Sequence, residues 1–195
     1  MKKLKWKILK SEDVSPNKWF PIVKDEVKLP NGKVIDYYKS QLASVAMIIA
    51  ITKQKELVFV RQYKHGIGKV CIEFPAGRIE QGNTPEETAV AELLEETGIS
   101  VNIKNLIKLT ELWTEPSKSS VCVTGFLVKD VAITENQQLE ESEDIEVLKI
   151  PLNELDLFIA KNKIHASDTL ALLLLAKIKF PEEFSFNDGG VVEET

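Results

Sequence analysis

Cysteine, arginine and long apolar runs are scarce in this chain of 195 residues, and each scarcity excludes a class of protein. The two cysteines, Cys71 and Cys122, lie in apolar, strand-like surroundings without metal-ligand spacing, which indicates buried reduced thiols in a cytoplasmic protein. The longest apolar run, residues 170–176, is too short for a membrane span and is typical of a buried core helix. With a net charge of −5, the chain has no electrostatic footprint for nucleic acid, so we expect neither nucleic acid nor a membrane as a partner.

The basic first residues lack the continuous apolar stretch and the small-residue cleavage site of a signal peptide. Leu4, Trp6 and Ile8 instead alternate with lysines, which predicts a half-buried strand. Asn31-Gly32 predicts a tight hairpin turn between two further strand-like runs. We expect an N-terminal β-hairpin unit, a main domain and an acidic, frayed tail, at residues 1–40, 41–180 and 181–195.

Strand-like runs outnumber helical ones in the main domain. Residues 43–51 form a nearly continuous apolar run, which is typical of a central strand buried on both faces. Residues 106–114 and 121–128 are predicted to form two antiparallel strands. Because the predicted helices fall between and after groups of strands, the pattern favours an α+β fold with a mixed sheet flanked by helices.

Residues 84–98 form the best-marked helix of the sequence. Thr84 is a good N-cap, Pro85 suits the first helical position, and Glu87 completes a capping box with Thr84. Gly98 is the residue expected in the left-handed turn that closes a helix. Both ends of this helix are therefore fixed by local sequence.

One side of this helix carries three glutamates, Glu92, Glu95 and Glu96, at spacings of three and four residues. Such spacing brings like charges together, and residues 79–103 contain no lysine or arginine to balance them. A hard divalent cation with oxygen ligands would explain the cluster, and Mg²⁺ or Mn²⁺ is the expected cofactor. The alternative is an acidic surface helix without a ligand, although solvated helix faces normally mix glutamate with lysine.

Residues 77–99 resemble the Nudix box, a loop–helix motif of the form G-x5-E-x7-R-E-U-x-E-E-x-G-U, in which U is a bulky apolar residue. The matching positions are Gly77, Glu92, Leu93, Glu95, Glu96, Gly98 and Ile99. Two positions depart from the motif, because Asn83 replaces its first Glu and Ala91 replaces its Arg. The resemblance implies the Nudix fold, which is an α/β/α sandwich.

Three further segments, at residues 29–33, 60–64 and 73–77, resemble the ADP-ribose pyrophosphatase branch of the Nudix family. This resemblance implies metal-dependent hydrolysis of the pyrophosphate bond of ADP-ribose or another nucleoside diphosphate sugar. It also implies a homodimer built with the N-terminal unit. A hairpin packed on its own subunit is the alternative for that unit.

The same resemblance assigns roles within the box. Glu92 and Glu96 would be catalytic metal ligands, together with the backbone carbonyl of Ala76. Glu95 would be a further ligand or would hold a water bound to the metal. A solvated charge is the alternative for each glutamate taken singly.

Four residues outside the box helix are candidates for substrate binding. Arg61 and Arg78 are the two arginines of the chain, and a planar guanidinium suits bidentate binding of phosphate. A structural ion pair is the alternative for Arg61. Glu73 precedes the box loop and could contact substrate or make a strand-end hydrogen bond, and Trp113 could stack on a base or belong to the core.

The two departures leave two functional hypotheses open. Ala91 removes the cation that ordinarily orients the box carboxylates, and Asn83 carries no charge to add to the metal site. The loop after Pro116 also lacks the catalytic Glu expected by resemblance, for which Glu115 or the acidic run at 140–144 could substitute. The chain is therefore interpreted as a hydrolase with an altered metal site or as a sensor that binds ADP-ribose or a related nucleotide.

Overall fold

A computed structural model describes residues 4–184, which form ten strands and four α-helices. The strands are β1 (Lys7–Asp13), β2 (Ile22–Lys28), β3 (Val34–Ser40), β4 (Val45–Thr52), β5 (Glu56–Lys64), β6 (Lys69–Glu73), β7 (Ala76–Arg78), β8 (Ile107–Trp113), β9 (Cys122–Val131) and β10 (Ile145–Pro151). The helices are α1 (Pro85–Thr97), α2 (Leu155–Ala160), α3 (Ser167–Lys179) and α4 (Pro181–Phe184), with 3-10 turns at Ile103–Asn105 and Leu152–Glu154. Within residues 4–184 no helix is long and apolar enough to cross a membrane.

The N-terminal strands form a separate antiparallel sheet in the order β1-β2-β3. The predicted hairpin is present as β2 and β3, and its turn contains Gly32 at a φ of 90°, where a side chain would be strained. Strand β1 adds a third strand, but all seven of its residues are exposed, so the prediction of a half-buried strand from Leu4, Trp6 and Ile8 is wrong in its burial. The N-terminal unit is therefore a small sheet rather than a hairpin alone.

A buried carboxylate ties the three strands of this sheet together. Asp25 on β2 accepts a hydrogen bond from Ser11 on β1 at 2.6 Å and from Lys39 on β3 at 2.5 Å. These two bonds, led by the one from Lys39, hold the pKa of Asp25 below its usual value. The end of β3 in turn meets the β8–β9 loop, since Ser40 N–H donates to the Lys118 carbonyl at 2.8 Å.

The main sheet has the order β10-β5-β4-β9-β8, with β6 paired to β5 and β7 paired to β4. Strand β4 is parallel to β9, and the other pairs are antiparallel, so the sheet is mixed. Strand β4 is the predicted central strand, and residues 46–52 are buried on both faces. Burial on both faces explains why this strand reads as a continuous apolar run rather than an alternating pattern.

Helices cover both faces of the main sheet. On one face Ala89 and Leu93 of α1 pack with Ile48 and Phe126 of the sheet. On the other face Leu172 and its neighbours on α3 pack against the second side of the sheet, together with α2. This arrangement confirms the predicted α+β fold, with an α/β/α sandwich preceded by an N-terminal antiparallel unit.

Helix α1 has the predicted ends. Thr84 accepts the N–H of Glu87 at 3.2 Å, and the Glu87 carboxylate accepts the N–H of Thr84 at 2.8 Å, which completes the capping box. Gly98 closes the helix at a φ of 70° and donates its N–H to the Leu94 carbonyl at 2.8 Å. The Gly98 carbonyl accepts the N–H groups of Thr134 and Glu135, both at 3.0 Å, so this glycine also anchors the β9–β10 loop.

Replacing Gly98 by alanine is expected to destabilise the fold by about 3 kcal/mol. The added Cβ would lie 2.1 Å from the backbone carbonyl oxygen of Glu135, at a positive φ that L-residues adopt with strain. Gly68 is the matched control, because it has a similar φ of 64° and no atom within 4 Å of its added Cβ. In urea unfolding, Gly68→Ala should lower the free energy of unfolding by only about 1 kcal/mol. Equal losses for Gly68→Ala and Gly98→Ala would contradict the steric explanation.

The C-terminal end of the described residues differs from the frayed tail expected from the sequence. The tail predicted to fray from Pro181 begins with α4, whose Glu183 pairs with Lys55 at 2.9 Å and with Lys129 at 2.6 Å. The rest of the predicted tail, residues 185–195, lies outside the described residues.

Candidate functional site

A cleft of about 670 Å³ lies along helix α1, between strand β7, the end of β5 and the β9–β10 loop. Its lining residues are Trp19, Gln62, Lys64, Ala76, Gly77, Arg78, Glu80, Asn83, Thr88, Ala91, Glu92, Glu95, Glu96, Glu140, Ser142 and Glu143. All three box glutamates and both altered box positions thus meet in one place. The cleft contains six carboxylates against one lysine and one arginine.

Gly77 allows the Glu92 side chain to lie directly against the backbone of β7. A Cβ built on Gly77 would come within 1.6 Å of a Glu92 carboxylate oxygen and 2.6 Å of its Cγ. Any side chain at position 77 would therefore expel the Glu92 carboxylate from its place. Position 77 therefore requires glycine, because only a residue without a side chain leaves room for a helix carboxylate against the loop.

Glu96 is the most deeply buried of the three glutamates, with 3% of its surface exposed. Its carboxylate accepts the backbone N–H of Ala76 at 3.1 Å, so the helix and the box loop are joined by a side-chain-to-backbone hydrogen bond. Glu95 is exposed and lines the cleft one residue away. The helix therefore presents one buried, one half-buried and one exposed carboxylate to the same space.

Burial and neighbouring charge raise the pKa of both inner glutamates. Desolvation, followed by repulsion from Glu95 and Glu143, raises the pKa of Glu92 to about 7. Desolvation raises the pKa of Glu96 to about 8, although the hydrogen bond from Ala76 opposes the shift. Helix α1 contains no lysine or arginine to offset the negative charge of these glutamates. The cleft therefore favours binding of a proton or of another cation.

The metal-free protein is expected to lose stability as the pH rises from about 4.5 to 8. Because the folded-state pKa values of Glu92 and Glu96 exceed the ordinary value of 4.5, the folded protein binds more protons than the unfolded chain across this window. Melting temperatures measured in EDTA should therefore fall over this window for the native chain and fall less for Glu96→Gln. Parallel curves for the two proteins would contradict the raised pKa of Glu96.

The donor set of the cleft fits a hard divalent cation such as Mg²⁺ or Mn²⁺. It offers carboxylate oxygens and the backbone of the Ala76 loop, and it contains no histidine or cysteine. Within residues 4–184, no three His, Cys, Asp or Glu side chains are yet close enough together to hold a metal ion. Two carboxylates nevertheless lie beside the box loop, Glu92 against Gly77 and Glu96 on the Ala76 N–H.

The predicted substrate-binding residues fall into two groups. Arg78 lines the cleft, and Glu73 lies in an adjoining chamber of about 260 Å³, where it pairs with Lys64 at 2.9 Å. Arg61 and Trp113 are not among the residues that line either space. Arg61 pairs with Glu146 at 3.3 Å, which is the structural ion pair considered as its alternative, and Trp113 is 59% exposed at the end of β8.

The alternation of side chains along β5 explains why Arg61 is displaced from the cleft. Successive residues of a strand point to opposite faces, so Gln62 and Lys64 reach the cleft while Arg61 faces the other way. Lys64 is thus the cation of the Val60–Lys64 segment that lies among the carboxylates. The alternation of side chains along β5, counted from its buried residues, is the sequence signal that could have identified Lys64.

Trp19 and the acidic loop reach the cleft from distant parts of the sequence. Trp19 belongs to the β1–β2 connection of the N-terminal unit, and no local pattern places it near helix α1. Glu140 and Glu143 are brought to the cleft by bonds between their loop and the end of α1. Gln137 donates its side-chain amide to the Glu96 carbonyl at 2.7 Å, and Gln138 N–H donates to the Glu95 carbonyl at 2.8 Å.

Two family profiles match the chain, and one of them covers the cleft helix and its loop. The NUDIX domain family profile matches residues 41–173, about two thirds of the chain, including the box loop and helix. The chain belongs to the Nudix family. Residues 6–39, which include Trp19, match a second profile, the nucleoside diphosphate sugar hydrolase N-terminal domain.

Two similar proteins and one solved structure each match more than four fifths of the chain. ADP-ribose pyrophosphatase of Bacillus subtilis (strain 168) is 28% identical over 180 residues, which cover 92% of this chain and 96% of the relative. A methanol dehydrogenase activator of Bacillus methanolicus is 29% identical over 165 residues, covering 84% of this chain and 88% of the relative. A solved structure described as an ADP compounds hydrolase superposes with a TM-score of 0.80 at 23% identity, over 92% of this chain and 96% of that chain, and shows the shared fold.

Proposed function

We propose that this Nudix protein hydrolyses the pyrophosphate bond of ADP-ribose or another nucleoside diphosphate sugar, with Mg²⁺ or Mn²⁺ as cofactor. The observation that carries the proposal is the cleft in which the three box glutamates face Lys64 and Arg78. Relatives named ADP-ribose pyrophosphatase in Bacillus subtilis and in Saccharomyces cerevisiae, the latter 30% identical over 160 residues, support the substrate class.

Glu92 and Glu96 would hold the divalent cation together with the backbone carbonyl of Ala76. When bound, such an ion neutralises developing charge on phosphate oxygens and activates a water. The protein's part is to keep both carboxylates dehydrated and close to the box loop. The raised pKa values of Glu92 and Glu96 reflect this, because burial disfavours two negative charges that a cation would stabilise.

Glu143 is our candidate for the general base. It lines the cleft on the loop opposite α1, and its charge contributes to the raised pKa of both Glu92 and Glu96. The backbone N–H of Glu140 donates to its carboxylate at 3.0 Å and orients it. Glu143 would accept a proton from the attacking water as an oxygen–phosphorus bond forms and the pyrophosphate bond breaks, which releases AMP and ribose 5-phosphate from ADP-ribose. Glu95 would be a further ligand or would hold that water.

Lys64 and Arg78 would bind the phosphate groups, since they are the cations that line the cleft. Trp19 would stack on the base, because its ring is exposed and lies at the cleft wall beside Lys18. Glu73 would contact the substrate from the adjoining chamber through its pairing with Lys64. The substrate-binding roles of Arg61 and Trp113 stay predictions, because neither residue lines the cleft or the adjoining chamber.

The sensor hypothesis is supported by the two altered box positions, since Asn83 and Ala91 line the cleft and bring no charge to it. One experiment separates the two functions. ADP-ribose and sugar nucleotides of other bases are incubated with Mg²⁺-loaded protein, products are identified by chromatography, and binding is measured by calorimetry. Release of nucleoside monophosphate and sugar phosphate supports the hydrolase, whereas tight binding of ADP-ribose without products supports the sensor.

We also propose a homodimer formed through the N-terminal sheet in a cytoplasmic protein. All seven residues of β1 are exposed, and Ile8 and Leu9 are apolar residues among them. A sheet edge with exposed apolar side chains is a template for pairing with a second copy. Light scattering should give twice the chain mass, and a monomer would contradict the proposal.

The proposed cytoplasmic location is supported by the free thiols of Cys71 and Cys122.

A further inference from the structure

Thr88 lies in the wall of the cleft with a hydroxyl group that has no hydrogen-bond partner within residues 4–184. The residue is 5% exposed, so water does not satisfy the hydroxyl in this packing. Buried hydroxyl groups normally have a partner, because an unpaired one retains the full cost of its desolvation. An unpaired hydroxyl in the wall of a binding cleft therefore indicates an acceptor that it meets only when the cleft binds its ligand.

The usual local acceptor is not used by this threonine. In helices a threonine hydroxyl can donate to the carbonyl four residues earlier, as Thr97 does to the Leu93 carbonyl in the same helix. The corresponding carbonyl for Thr88 is that of Thr84, which accepts the backbone N–H of Thr88 at 3.1 Å. The hydroxyl of Thr88 is left available for a side chain of the cleft.

Glu92 is the acceptor that helix geometry offers. It stands four residues after Thr88 on the same face, and helical side chains lean toward the N-terminus, which carries the Glu92 carboxylate over the turn that contains Thr88. That carboxylate lies against Gly77 and lines the same cleft as Thr88 and Ala91. A rotation about its last torsion, with the carboxylate still beside the box loop, would direct one oxygen toward a cation and the other toward the Thr88 hydroxyl.

We propose that Thr88 is a positioning residue for Glu92. The Thr88 hydroxyl donates a hydrogen bond to the Glu92 carboxylate when that carboxylate binds a divalent cation. This inference rests on the proposed metal site. Ala91 leaves the helix without a cation to orient its carboxylates, and Thr88 provides a neutral donor one turn before Glu92. Hydrogen bonds that orient metal-binding carboxylates strengthen metal affinity without touching the ion.

The test compares Mn²⁺ affinity among four variants, without substrate, from the electron paramagnetic resonance signal of free Mn²⁺. Thr88→Val keeps the branched shape and removes the hydroxyl, Thr88→Ala repeats the removal, and Thr88→Ser restores the donor. Thr97→Val is the matched control, because it removes a buried threonine hydroxyl from the same helix away from the cleft. Melting temperatures are recorded for every protein.

We expect Thr88→Val and Thr88→Ala to bind Mn²⁺ about tenfold more weakly than the native protein, and Thr88→Ser to bind within about twofold of it. Thr97→Val should melt at a lower temperature with native Mn²⁺ affinity. A Thr88→Val protein that melts higher and binds Mn²⁺ as the native chain does would overturn the inference and leave the metal site standing. Absence of Mn²⁺ binding by the native protein would instead overturn the proposed function, and this inference with it.

Discussion

Glu96→Gln is expected to reduce turnover of ADP-ribose about 10³-fold while the fold remains intact. The amide oxygen can still accept the Ala76 N–H that Glu96 accepts at 3.1 Å, so the link between helix and loop is kept. What disappears is a negative ligand on a helix whose box already lacks one carboxylate at Asn83. The loss should therefore appear in kcat and in metal affinity, while the metal-free variant melts no lower than the native protein.

Glu86→Gln is the matched control for this change. Glu86 lies in the first turn of the same helix and does not line the cleft, so the identical chemical change there should leave turnover within about twofold of native. Steady-state kinetics with Mg²⁺ on both variants makes the comparison. Native-like turnover by Glu96→Gln would remove Glu96 from the metal site.

Gly77→Ala is expected to abolish activity by displacing Glu92 rather than by unfolding the protein. The new Cβ would meet the carboxylate end of Glu92 at 1.6 Å, and a flexible side chain can move away at little cost to the fold. The displaced carboxylate could no longer lie beside the Ala76 loop. We expect Mn²⁺ affinity and turnover to fall by about a hundredfold or more, with a nearly native melting temperature.

Gly125→Ala provides the opposite control. Its Cβ would come within 2.1 Å of Leu172 Cδ1, in the packed core between β9 and α3, where side chains have no free space to enter. That variant should lose about 1–3 kcal/mol of stability and keep its metal affinity. If Gly77→Ala instead loses stability and keeps metal affinity, the close approach of Gly77 and Glu92 has no functional role.

The elements that could be predicted from sequence are those fixed by neighbouring residues. The predicted ends of helix α1 agree with the structure because Thr84, Glu87 and Gly98 satisfy its terminal hydrogen bonds locally. The central strand β4 is predictable because burial on both faces leaves a continuous apolar run. The carboxylate cluster followed from the helical repeat, which places Glu92 and Glu96 on one face without any knowledge of the rest of the fold.

The opposite wall of the cleft could not be predicted in the same way. Trp19 reaches it through the packing of the N-terminal sheet, and Glu143 reaches it through bonds that tie a long loop to the end of α1. Both depend on contacts between residues far apart in sequence, which no periodicity records. Guanidinium chemistry points to Arg61 as the phosphate ligand of β5, whereas strand alternation turns Arg61 away and places Lys64 in the cleft.

The most direct test of a metal-dependent pyrophosphatase at this cleft is AMP release from ADP-ribose during titration of Mg²⁺ into metal-free protein. The proposed function predicts that AMP and ribose 5-phosphate appear in equal amounts, that the rate saturates with Mg²⁺, and that EDTA stops the reaction. Calorimetry in the same buffer shows whether ADP-ribose is bound. Bound ADP-ribose without AMP release at saturating Mg²⁺, or release that EDTA does not affect, would contradict the proposed function.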